Sequence, residues 1–212
     1  MFNNFSPNML KTYKSCPKKY FYQYVENIQV PKSSLPFEKG KKIHALANYF
    51  LQGVNISRIE TALTESERQA WELLLNNPYF RKDCLHSEYT LTCKLGEYWV
   101  GGRLDAVVCD GENYYILDYK TGSIPKNPEY DFQTMVYLLC LDRVLASYES
   151  LSFVYINLKD RKDYVIKFDP ELKSKYEKLV EEACQKISSD TLYNPSETAC
   201  QRCEYSKICS AI

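Results

Sequence analysis

GGRLDAVVCDGENYYILDYKTG, residues 101–122, is the stretch that decides the reading of this 212-residue chain. The run from Tyr98 to Cys109 is apolar and β-branched around Asp105, and the run from Asn113 to Lys120 is aromatic and aliphatic around Asp118. Asp110-Gly111 between them is a hairpin signal. Side chains alternate faces along a strand, so Asp118 and Lys120 project to one side while Leu117 and Tyr119 project to the other. Pairing of the two strands brings Asp105 alongside them.

Two carboxylates about 4 Å apart repel by roughly 4 kcal/mol at an effective dielectric near 20, and one lysine offsets only part of that. A divalent cation balances the remainder. Oxygen ligands favour Mg or Mn, which activate a water, polarise a phosphoryl oxygen and neutralise charge developing in an in-line displacement. Asp-x-Lys is nevertheless a short pattern, and alone it fits an ordinary surface hairpin with a weak ion pair equally well.

The wider order of residues carries more. Gly102-x-x-Asp105, then Asp118-Tyr-Lys120-Thr-Gly, then a helix with Gln133 and Tyr137 resembles the RecB-like branch of the PD-(D/E)XK nucleases, and His44 in GKKIHALANYF matches the histidine that precedes its core. The resemblance implies a restriction-endonuclease-like α/β fold, a mixed central sheet flanked by helices. It implies that His44, Asp105, Asp118 and the backbone carbonyl of Tyr119 hold the metal, and that Lys120 orients the attacking water or stabilises the transition state. Gln133 and Tyr137, neighbours at i and i+4 on one helix face, would position the strand or meet Lys120. Asp118 stands where more distant relatives carry glutamate. Glu88 resembles an acidic position upstream of Gly-x-x-Asp and is expected behind the ligands; His86 has no counterpart and reads as a surface residue.

A second signature joins the chain ends. Cys16 stands alone near the start, and Cys200, Cys203 and Cys209 close the chain with spacing C-x2-C-x5-C. Four thiolates suit a structural zinc ion or an iron-sulfur cluster, and spacing alone admits both. The pattern resembles the iron-sulfur members of the same branch, typified by CRISPR-adaptation exonucleases and AddB-type nuclease domains, which implies a 4Fe-4S cluster. Such a cluster contributes to folding rather than to hydrolysis. Cys84, Cys93, Cys109, Cys140 and Cys184 lie mostly in apolar patterns and read as small core residues.

The expectation is one domain: an N-terminal arm over 1–36, a nuclease core over 37–194 and a cysteine tail over 195–212, arm and tail forming a cluster-binding lobe. Helices are expected over about 6–15 and from Pro17, 37–52, 65–75, 129–146 and 171–187, and strands over about 87–95, 98–109, 113–120, 151–158 and 163–168, with a loop at 31–36. Nine cysteines without a secretory signal, and no long apolar run, point to a soluble cytoplasmic protein with no membrane partner.

Net charge is zero, with 27 basic and 27 acidic residues, but its distribution is uneven. Residues 1–43 hold eight lysines and two glutamates, +6 for this stretch and −6 for the remainder. Phosphates of DNA, probed most naturally as single-stranded ends, are expected on that arm, with Tyr13, Tyr20, Tyr22 and Tyr24 as candidate stacking surfaces. The chain holds no G-x-x-x-x-G-K-[ST] motif, so any motor belongs to a partner, such as CRISPR-adaptation or recombination proteins. A DNA-end-binding adaptor and a zinc-stabilised interaction module are the competing readings. No residue pattern decides the oligomeric state.

Overall fold

The hairpin of residues 98–120 is the centre of a six-stranded mixed sheet in the computed structural model, which describes residues 3–30, 35–196, 200 and 203–209, the first five of the second segment by backbone alone. The strands are β1 (Asn4–Phe5), β2 (Asp83–Leu95), β3 (Tyr98–Asp110), β4 (Asn113–Lys120), β5 (Ser150–Asn157) and β6 (Lys162–Phe168). Gly111 takes φ 61°, the left-handed conformation that lets β3 turn tightly into β4. Strand β2 runs antiparallel along one edge of β3. The other edge is shared: β1 pairs in parallel with Trp99 and Val100, and β4 pairs from Ala106 to Asp110. Between these ladders, among the described residues, the segment 101–105 has no strand partner on that side.

Strand β4 pairs in parallel with β5, and β5 pairs antiparallel with β6. A parallel pair needs a crossover. That crossover is the helix Phe132–Val144, which the apolar run FQTMVYLLCL buries almost completely.

The helices are α1 (Pro7–Ser15), α2 (Pro17–Tyr20, continued by a π-helical turn over Phe21–Val25), α3 (Leu35–Leu51), α4 (Ser57–Thr61), α5 (Glu65–Leu75), α6 (Phe132–Val144) and α7 (Pro170–Ser189). Period-two alternation divides the sheet's side chains between two cores. Val107, Ile116, Phe153 and Tyr155 pack under α1, α6 and α7, whereas Ala106, Val108, Leu117, Val154 and Ile156 pack under α3 and α5 against Ile43, Leu46, Trp71 and Leu74. Leu117 and Tyr119, which bracket Asp118 on β4, both pack into the second of these cores.

The mixed sheet flanked by helices is the expected architecture, with local departures. Strand β2 begins at Asp83 rather than near 87. Helix α6 begins at Phe132 because Pro128–Tyr130 form a 3-10 turn and Asp131 caps the helix, its carboxylate accepting the Gln133 N–H at 2.9 Å. Residues 31–34 of the expected loop lie outside the described residues, and Leu35 and Pro36 already belong to α3. The two-residue β1 and the single-turn α4 had no sequence signal.

Helix α5 opens on a complete capping box. Thr64 Oγ1 accepts the Glu67 N–H at 3.4 Å, and Glu67 accepts the Thr64 N–H at 2.7 Å. Glu67 also pairs with Lys42 at 2.9 Å, which ties α5 to the helix that carries His44. The Thr64 N–H and the Lys42 ammonium hold the Glu67 carboxyl at about 2. A depressed carboxylate stabilises the fold above its ordinary pKa and loses that contribution as pH falls toward the folded value. Thr64→Ala should therefore cost about 1 kcal/mol in denaturant unfolding at neutral pH. Glu67→Gln should lower stability at neutral pH and flatten its dependence on pH between the ordinary carboxylate range and about 2.

Candidate active site

Asp105 of β3 stands opposite Glu88 of β2. Ser87 pairs with Ala106 and Tyr89 with Leu104, so one residue on each strand, Glu88 at φ 48° and Asp105, is skipped while the register is kept. Both reach toward α3. There His44 Nδ1 faces Asp105 Oδ1 at 3.0 Å, and His44 Nε2 faces the Tyr119 carbonyl at 2.9 Å. The Tyr119 N–H donates to Asp105 Oδ2 at 3.0 Å. His44, Glu88 and Asp105 each bring a potential ligand atom within 4.8 Å of the others. Glu88, expected behind the ligands, thus stands beside His44 and Asp105 with a potential ligand atom of its own; the strand pairing that brings it there has no signature in a single sequence.

Both ring nitrogens of His44 face oxygen acceptors, so both serve as donors when the ring is charged. Burial opposes that charge, but the hydrogen bond to Asp105 and the charges of Asp105 and Asp118 outweigh it and raise the pKa. The arrangement is an oxygen-rich cradle closed by a proton where a cation can stand. Hard divalent ions accept this donor set of carboxylates, one carbonyl and one imidazole. The cradle opens onto a cavity of about 710 Å³ lined by His44, Asn48, Glu88, Arg103, Asp105 and Thr121.

Asp118, on β4, is only 2% exposed. Burial raises its pKa, the charge of Asp105 adds to the rise, and Lys120 partly counters both. Lys120 Nζ stands 2.8 Å from Asp118 Oδ2 and 3.0 Å from Oδ1. Burial disfavours the ammonium, yet Asp118 outweighs that effect and keeps Lys120 charged, its pKa raised. Gln133 Nε2 also donates to Asp118 Oδ1. Tyr137 is buried, and its hydroxyl donates to the Arg103 carbonyl at 2.8 Å, on the segment of β3 that has no strand partner there. Gln133 and Tyr137, expected to face a substrate strand, thus have protein partners on the two strands that carry the acids.

At the chain ends Cys16, Cys200, Cys203 and Cys209 line one small cavity. Cys16 interrupts the helical path at φ −162°, as Pro17 requires, and its Sγ accepts the N–H groups of Lys19 and Ser196, each at 3.4 Å. Four sulfurs around one space fit a metal or cluster ligand set. Of the remaining cysteines, Cys93, Cys140 and Cys184 are buried and Cys84 and Cys109 half-buried.

The arm's charge is partly spent within the protein. Lys11 pairs with Asp131 at 2.6 Å and Lys19 with Glu204 at 2.9 Å, while Lys14 and Lys18 lie over aromatic rings. Tyr13 and Tyr20 are buried in the core, which removes them as stacking surfaces for a base. Periodicity could not reveal this, because arm and tail pack across the whole length of the chain. His86 is exposed and stacks on Tyr89, as a surface residue would.

A mixed sheet carrying Asp105 opposite Glu88, Asp118-x-Lys120 on the next strand and a histidine on a preceding helix defines a nuclease core. The model of the PD-(D/E)XK nuclease superfamily matches residues 4–210, and the chain belongs to that superfamily, a metal-dependent nuclease. Among individual proteins it is similar to the CRISPR-associated exonuclease Cas4 of Francisella tularensis subsp. novicida (strain U112), 23% identical over 207 residues, covering 96% of this chain and 92% of the relative. The crystal structure of a Eubacterium rectale protein assigned as an exonuclease shares the fold, with TM-score 0.56 and 12% identity over 88% of this chain and 80% of the other. No helix among the described residues is long and apolar enough to cross a membrane.

Divalent metal at about a hundred times its Kd should stabilise the protein by roughly 2.7 kcal/mol, read as a rise in melting temperature. His44→Ala and Asp105→Asn should abolish that rise. In the wild-type chain it should shrink as pH falls through the raised pKa of His44, because the ring must shed a proton to ligate.

Proposed function

We propose that this chain is a DNA exonuclease that hydrolyses phosphodiester bonds at single-stranded ends. The observation that carries the reading is the convergence of His44, Asp105 and the Tyr119 carbonyl within 3.0 Å contacts, beside the Asp118–Lys120 pair. The similarity to a CRISPR-associated exonuclease supports the choice of DNA ends and a setting in CRISPR adaptation. Nine free thiols suit a reducing cytoplasm.

In this reading His44, Asp105, Asp118 and the Tyr119 carbonyl hold the cation, with Glu88 as a further carboxylate. Bound Mg or Mn would lower the pKa of a water and balance charge on the phosphoryl oxygens. Lys120, kept protonated by Asp118, orients that water and donates to a non-bridging oxygen of the pentacoordinate transition state. Gln133 restrains Asp118 and Tyr137 restrains the β3 backbone, so both act as positioning residues. Cys16, Cys200, Cys203 and Cys209 hold a 4Fe-4S cluster that locks arm to tail.

Anaerobically purified protein should cleave end-labelled single-stranded DNA with Mg or Mn and contain iron and sulfide rather than zinc. Asp118→Ala should abolish cleavage, by more than a hundredfold, while leaving the visible absorbance of the cluster in place. DNA binding without cleavage on any end would instead identify an adaptor subunit.

A further inference from the structure

An exposed aromatic also stands on the sheet, away from the arm. Trp99 on β3 is 47% exposed, whereas the chain's other tryptophan, Trp71, is buried in the core. Residues two apart on a strand share a face, so Trp99, Gly101 and Arg103 form a row. Their ladder partners Lys94, Thr92 and Thr90 run beside them and are exposed. The row ends at Arg103 and Glu88, joined by an ion pair of 2.8 Å, where the cavity around Asp105 begins.

A groove of about 520 Å³ follows this row, lined by Asn4, Ser6, Met9, Thr92, Trp99 and Gly101. Its floor is kept low by glycine. A Cβ on Gly101 would stand 2.1 Å from the Leu91 carbonyl oxygen. The floor is therefore backbone, one wall is threonine hydroxyl and methyl, and the far end is an indole face.

We infer that this groove is a subsite for single-stranded nucleic acid, in which a base stacks on Trp99 while the chain passes Arg103 into the metal cradle. The inference rests on the nuclease reading above and adds the path and the stacking residue. Continuity with the cradle along one sheet face favours a strand of the substrate over an unrelated ligand. Arg103, whose side chain is 69% exposed, and Lys94 supply cations at either end of the row for phosphates. From Asp105 to Trp99 is six residues of strand, roughly 20 Å, so the stacked base lies several nucleotides from the bond that is cut. Stacking is tolerant of sequence, since every base offers a π face.

The test uses the full chain, purified anaerobically, with fluorescently labelled oligo(dT) in buffer without divalent metal. Trp99→Ala should weaken binding roughly tenfold or more, and Trp99→Phe should retain most of it. Melting temperatures should match the wild type in both. With Mg or Mn, Trp99→Ala should raise KM for the same oligonucleotide and leave kcat nearly unchanged. Equal affinity and equal KM in Trp99→Ala, with cleavage by the wild-type chain intact, overturn the groove and leave the nuclease standing. Absence of metal-dependent cleavage by the wild-type chain sinks the nuclease reading itself, whatever Trp99 does to binding.

Discussion

Both oxygens of Asp105 are committed to different elements, one to His44 on α3 and the other to the backbone N–H of Tyr119 on β4. A carboxylate is small and its two acceptor directions are fixed relative to each other, so this bridge sets the distance between a helix and two strands at once. The β3–β4 ladder stops at Ala106 and Leu117, and the bridge continues it through a side chain. Without it the Tyr119 N–H would need another acceptor. The Tyr119 carbonyl, turned to His44, then becomes part of the same constellation. Sheet pairing and site geometry are one arrangement, and the buried Asp118 inherits its orientation from it.

This explains why acidic groups can be packed so closely. Each of the two aspartates is answered by a cation from a different direction: His44 from α3 for Asp105, Lys120 from β4 itself for Asp118. The answers are unequal, because the imidazole can surrender its proton near neutral pH and the ammonium cannot. A metal can therefore displace charge on the His44 side while the Asp118–Lys120 pair keeps its electrostatic character. Lys42, two residues before His44, steadies α3 by its contact with Glu67, and so the helix cap of α5 reaches the site indirectly.

Much of this was legible in the residues where the signal is local. Asp110-Gly111 announces the hairpin because turn geometry selects for residue type, and Pro17 places Cys16 at a break because proline cannot continue the ladder. The motif order located His44, Asp105, Asp118 and Lys120, which the structure brings together. Features that depend on long-range packing were not legible. The meeting of Glu88 with Asp105 depends on how β2 and β3 are paired, visible only once both strands are in place. The start of α6 lies at Phe132 rather than 129 because Pro128–Tyr130 form a 3-10 turn and Asp131 caps the helix. Tyr20 resembled a surface aromatic among lysines, yet α7 and the residues around Tyr193 cover it.

The cysteine cavity joins residues made far apart in time. Cys16 is translated before the sheet strands β2 to β6, and Cys200, Cys203 and Cys209 after them. The sheet, both helical layers and the acid constellation are all synthesised before the last of these sulfurs. Closure of that lobe therefore waits on all of them, and it reports on the integrity of everything translated in between. A chain cut short by a premature stop would carry every acidic group of the site and still lack its clasp.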